Sequence, residues 1–94
     1  MLPNYKVEID DDALSDLEKL TKKVQGQILK AIKKLSTDPR QGNVTQLRKY
    51  DGLHRLRTGK YRAIYAIDDE AHVVVIIAAG HRKDVYDILE RRIK

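Results

Sequence analysis

The stretch HVVVIIAAGHRKDVYDIL, residues 72–89, decides how the chain is read. Seven apolar residues run unbroken from Val73 to Ala79, and Gly80, His81, Arg82 and Lys83 follow at once. A continuous, largely β-branched run of this length reads as a central strand covered on both faces. Gly80 is expected to stop it. Asp84–Ile93 then carries Val85, Ile88 and Leu89 at helical spacing. A fold needs only a turn between such a strand and such a helix, so the cationic trio asks for a further explanation.

Working back from this strand, the period of two continues. Tyr61–Ile67 and Leu53–Thr58 read as strands joined at Gly59-Lys60, and Gln46–Tyr50 as another strand turned by Asp51-Gly52. Asp68-Asp69-Glu70 forms a polar turn before the central strand. Nearer the N-terminus, Tyr5–Ile9 alternates as a short strand, and the Asp10-Asp11-Asp12 run opens a helix by capping free amides with negative charge. Ala13, Leu14, Leu17 and Leu20 make one apolar helical stripe, and Val24, Ile28, Ala31, Ile32 and Leu35 a second, with Lys30, Lys33 and Lys34 on the opposite face. A break near Thr21–Gln25 separates the two helices, and Asp38-Pro39 and Gly42-Asn43 end the pair. The order predicts an α+β fold. The N-terminal strand and helical hairpin pack on one face of a mostly antiparallel four- to five-stranded sheet, with a short C-terminal helix. Residues 1–94 are expected to form a single domain, with the other sheet face free to form a cleft.

The chain carries 19 Lys and Arg against 14 Asp and Glu, a net charge of +5. Such a balance favours polyanionic partners. The charge is segregated: acids crowd residues 8–18, and residues 45–67 hold Arg48, Lys49, Arg55, Arg57, Lys60 and Arg62 against Asp51 and no other acid. There is no cysteine, hence no disulfide and no thiolate metal site. No apolar stretch approaches the ~20 residues of a membrane span, and MLPNYKVEIDDD lacks an apolar signal core. A soluble cytoplasmic protein without a membrane partner is expected.

In a strand, Arg55 and Arg57 point the same way. Arg62 stands on the next strand, about 4.8 Å away, and Arg82 leaves the end of the strand expected to pair with Tyr61–Ile67. Guanidiniums gathered on one surface repel one another unless an anion lies between them, and their planar forks match phosphate. A phosphodiester site follows. For Arg48, Lys49 and Arg57 a solvated face that deters sheet aggregation is an equal reading; Arg62, in mid-sheet, is a costly place for a lone cation. His81 titrates near neutrality and is suited to acid–base work, or is simply a turn residue. Tyr86 either stacks on a base or fills the core under the last helix. His54, His72 and His81 do not form a ligand-spaced motif, so neither a metal nor a cofactor is expected. Several cations and an imidazole without metal suit RNA cleavage, because RNA supplies its own 2′-hydroxyl nucleophile.

The segments LHRLRTGKYRAIYAIDD and VVVIIAAGHRKDVYD, with the acid-capped helical hairpin before them, resemble the RelE/ParE superfamily of toxins from toxin–antitoxin pairs. The likeness covers essentially the whole chain. For the RelE branch it implies a ribosome-dependent endoribonuclease that cuts mRNA in the A site by metal-free 2′-hydroxyl attack; the alternative is a ParE-like DNA gyrase inhibitor without nuclease activity. It implies that Arg62 and Arg82 stabilise the phosphate, that Arg55 is the basic strand residue, and that Tyr86 stacks on or orients a base. RelE toxins carry lysines on the strand before the Tyr-Arg pair, one of them proposed as the base. Here Leu53-His54-Arg55 stands there, so His81 is taken as the base, with His54 second. Arg48, Lys49, His54, Arg57, Lys60 and Lys83 are expected to contact RNA or ribosome. The resemblance also implies a RelB-like antitoxin in a hetero-oligomer, covering basic surface or displacing the C-terminal helix.

Overall fold

A computed structural model describes residues 4–40, 44–47, 49–50 and 52–92. Strand β1 (Lys6–Ile9) leads into helices α1 (Asp11–Glu18) and α2 (Lys22–Lys33), the latter extended by a 3₁₀ turn at Lys34–Ser36. Strands β2 (Val44–Gln46), β3 (Leu53–Thr58), β4 (Tyr61–Asp68) and β5 (Val73–His81) follow, and α3 (Val85–Arg92) closes the fold. The sheet order is β1-β5-β4-β3-β2, antiparallel except for the parallel β1–β5 pair. This is the predicted α+β architecture, with five strands.

The helix starts are written in the caps. The Asp10 carboxylate accepts the Asp12 amide at the head of α1, and the Thr21 hydroxyl accepts the Val24 amide at the head of α2. Thr21 therefore opens α2, and the break falls at Lys19–Thr21, earlier than the expected Thr21–Gln25. On the hairpin face Ala13, Leu17, Ile28, Ile32 and Leu35 pack on Leu56, Ala63, Tyr65, Val74, Ile76 and Ala79. Tyr65 is fully buried and donates its hydroxyl to the Pro39 carbonyl at 2.6 Å; burial pushes that phenol well above its usual range.

Three local expectations need correction. The strand expected at Gln46–Tyr50 is Val44–Gln46, and Leu47 and Tyr50 instead pack with the α3 cluster. Gly80 does not stop the central strand: β5 continues through Gly80, opposite Arg62, to His81, opposite Tyr61. Gly80 lies against α3, where a Cβ would make an ordinary contact with the Ile88 side chain at 3.4 Å. The second sheet face is not an open cleft either, because α3 covers part of it, packing Val85 and Leu89 on Ile64 and Ala78. The Gly42-Asn43 signal lies outside the described residues.

The pairing of β4 and β5 slips by one residue. Tyr65 faces Ile76 but Ile64 faces Ala78, leaving Ile77 as the extra residue of a bulge. Ile76 and Ala79 consequently face the helical hairpin, while Ile77 and Ala78 both face α3. Beyond Ile76, β1 has ended, and the edge of β5 needs other partners. Asp16 of α1 accepts the Ala79 amide at 3.1 Å, Arg92 of α3 donates to the Ile77 carbonyl at 2.9 Å, and the two side chains pair bidentately at 2.6 Å. This knot ties both helical layers to the sheet edge. Asp16→Ala, which strands Arg92 and the Ala79 amide, is expected to destabilise the fold by about 3 kcal/mol in urea unfolding.

His54 lies on the hairpin face, its ring stacked on Tyr65 with centroids 5.5 Å apart. Burial, and then the charge of Arg40, push its pKa below the ordinary 6.5. Above that pH both folded and unfolded chains hold it neutral; below it the unfolded chain takes up a proton that the fold resists. Stability therefore falls as pH drops below about 6.5. Thermal melts from pH 7.5 to 5 should show that fall, and His54→Gln should flatten it.

Candidate functional site

The sheet face that carries α3 also carries arginines. Gly59, at φ 62, supplies the left-handed residue of the tight β3–β4 turn. The pairing that turn sets puts Arg57 directly opposite Arg62, with Arg55 opposite Ile64, all three on the α3 side. The Arg82 amide donates to the Lys60 carbonyl at 2.8 Å, which pins the turn after β5 to the β3–β4 turn and brings Arg82 to the same end. Tyr86, in the first turn of α3, accepts from Arg55 Nη1 at 2.6 Å.

Arg62 is half-buried and donates to the Gly59 and Tyr61 carbonyls at 3.1 and 2.8 Å. Partial burial pushes its pKa down, and so do the charges of Arg57, Arg55 and Arg82, with Tyr86 opposing. None of the four guanidiniums pairs with a carboxylate among the described residues. Like charges set directly across a strand pair destabilise it. An arrangement of four such forks is suited to a phosphate, whose oxygens satisfy several guanidiniums at once.

The structure thus brings Arg55, Arg57, Arg62, Arg82 and Tyr86 together. It does not bring the histidines to them. His81 pairs with Tyr61 on the hairpin face, its ring edge-on to that tyrosine at 5.6 Å, and its Nδ1 accepts the Lys83 amide at 3.1 Å. That bond makes it the organiser of the turn at residues 81–84. His54 is on the same far face, against Tyr65. The expectation that either imidazole works beside the arginines does not fit this placement; the physical reason is the bulge at Ile77, which turns His81 to the other side. Lys60 and Lys83 are exposed at the rim, Lys49 lies toward α3, and Arg48 lies outside the described residues.

Two residues went unread in the sequence. Glu90 accepts from Tyr50 Oη at 2.8 Å and from the Lys49 ammonium, beside Arg55 and Tyr86. The spacing of Tyr86 and Glu90 at i and i+4 on one helix was the available signal for Glu90; Tyr50 had none, because its segment reads as a strand.

The profile of the family described as the ParE toxin of the type II toxin–antitoxin system parDE matches residues 7–86. The chain belongs to the RelE/ParE toxin family. It is 35% identical over 83 residues to Toxin RelG of Mycobacterium tuberculosis, covering 87% of this chain and 95% of that one. To the mRNA interferase toxin RelE of Escherichia coli it is 31% identical over 93 residues, covering 95% and 97%. The RelBE2 toxin–antitoxin complex of Mycobacterium tuberculosis holds a chain with the same fold at a TM-score of 0.76 and 33% identity, covering 84% of this chain and 99% of that one. The protein is a RelE-like toxin of the type II toxin–antitoxin class. Among the described residues no helix is long and apolar enough to cross a membrane.

The arginine face makes a specific prediction for this toxin. Inorganic phosphate should raise the melting temperature of the wild type, and raise that of Arg62→Ala less. In phosphate-free, low-salt buffer Arg57→Thr should stay within about 0.5 kcal/mol of wild type or exceed it, because it relieves a like-charged pair.

Proposed function

We propose that this toxin is an endoribonuclease that enters the ribosomal A site and cuts mRNA there, and that a RelB-like antitoxin holds it in check as a hetero-oligomer. The observation that carries the reading is the directly opposed Arg57–Arg62 pair, joined by Arg55 and Arg82, none of which forms a salt bridge among the described residues. The name mRNA interferase on the RelE relative and the toxin–antitoxin complex among the structural relatives support it.

In this reading the scissile phosphate lies on the arginines. The 2′-oxygen attacks the adjacent phosphorus and loses its proton, the phosphorane gains negative charge, and the bond to the 5′-oxygen breaks as that oxygen takes a proton. The products are a 2′,3′-cyclic phosphate and a 5′-hydroxyl. Arg62 and Arg82 stabilise charge that grows in the transition state. The hydroxyl that stands among the guanidiniums is that of Tyr86, held by Arg55, and we assign it a proton relay in place of His81 or His54: its oxygen takes the 2′-proton as its own proton passes to the departing 5′-oxygen. No step draws on a metal or a cofactor. Under the alternative, a gyrase-binding ParE-like toxin, the opposed arginines have no anion to answer.

A translating extract tests this directly. Wild-type toxin should produce codon-positioned mRNA cuts, and Arg62→Ala or Arg82→Ala should slow them by about 10²-fold with the fold retained. Tyr86→Phe should fall by a similar factor, whereas His81→Gln should not. Intact mRNA alongside stalled gyrase would favour the alternative.

A further inference from the structure

A cavity of about 290 Å³ lies between α3 and Leu47, Lys49 and Tyr50, and is lined by these three with Arg55, Tyr86 and Glu90. Its lining is mainly apolar, and it shares Arg55 and Tyr86 with the arginine face. At this size it suits one planar ring system and sits at the small end of ligand sites. A more open depression of about 480 Å³ on α3 is lined by Asp84, Asp87, Ile88, Glu90 and Arg91, a sign of charge that repels a phosphodiester chain.

The cavity wall has an unusual composition for a phosphate-binding region. Glu90 places a carboxylate close to the guanidiniums, held by the Tyr50 hydroxyl at 2.8 Å and by Lys49. The Lys49–Glu90 pair is largely exposed, with side chains 73% and 41% accessible, and such pairs contribute little to stability. A fixed carboxylate next to two tyrosine rings has a plain chemical use: the rings offer π-surfaces for stacking, and the carboxylate accepts from an amino group on a base edge.

We infer that this cavity receives one nucleobase of the RNA whose phosphate rests on the arginines, and that Glu90 selects bases carrying an amino group over uracil. The inference rests on reading the arginine face as a phosphodiester site. Adenine, cytosine and guanine each present an exocyclic amine. Uracil presents a single N–H between two carbonyl oxygens, which a carboxylate repels. Lys49 and Tyr50 act as positioning residues that hold the carboxylate in place.

The test uses the isotope-labelled full chain and the four nucleoside 3′-monophosphates, with inorganic phosphate as control, followed by backbone amide NMR. Adenosine, cytidine and guanosine 3′-monophosphates should bind about tenfold tighter than the uridine compound and should shift the amides of residues 47, 49, 50 and 86–90. Glu90→Gln, whose amide donates to a carbonyl, should bring the ratio to within about threefold. Where that variant fails to fold, Tyr50→Phe, which frees the carboxylate from one of its holders, should reduce the preference. Equal affinity for all four nucleotides, with shifts confined to residues 55–62 and 82, overturns the base pocket and leaves the nuclease reading standing. Absence of binding by nucleotides and phosphate alike overturns the phosphodiester site and this inference with it.

Discussion

The extra residue in β5 sets the chemistry of both faces of the sheet. With Ile77 inserted, two successive apolar side chains, Ile77 and Ala78, face α3, and the alternation resumes in opposite phase toward Gly80 and His81. Side chains on a strand alternate strictly, so a one-residue slip exchanges faces for everything beyond it. The bulge lets one strand serve the hairpin core along its first half and still present Gly80 against α3 at its end. It also leaves the edge of β5 short of partners where β1 stops, and the Asp16–Arg92 knot answers that need.

Electrostatics then follow from topology. The β3–β4 hairpin aligns Arg57 with Arg62, and the contact between the turn after β5 and Lys60 brings in Arg82. The fold holds these charges together because its hydrophobic layers determine strand register, and the register leaves the guanidiniums no choice of neighbour. In the proposed reading this site is preorganised for an anion: the cations are opposed before phosphate arrives, and its binding would relieve the repulsion. The charge map is local. Asp16 of the first helix is turned to Arg92 and the Ala79 amide, and Glu90 at the margin of the patch is held by Lys49 and Tyr50, so a net charge of +5 understates how basic the patch is.

Toxin–antitoxin proteins of this size have little core to spare, and the fold uses the same helix for structure and for the site. α3 buries Val85 and Leu89, anchors itself through Arg92, and presents Tyr86 and Glu90 toward the arginines. Placing these residues on an element that is itself packed and anchored holds them to a narrow geometry, as the proposed positioning of a reacting phosphate demands.

The chain by itself determined the α+β class, the capped helical hairpin, the central strand and the shared face of Arg55 and Arg57, because each rests on local information: apolar period, caps, and the alternation of a strand; the contact that brings in Arg82 is tertiary. It did not determine which face His81 takes. With unbroken alternation from Ile76, Gly80 would fall on the hairpin side and His81 on the side of the arginines; the bulge at Ile77 exchanges the two. Nor did local signals show Asp16 and Arg92 as partners, 76 positions apart, or the packing of Leu47 and Tyr50 against α3. Those are long-range contacts, and a pattern with a period of two or 3.6 residues carries no record of them.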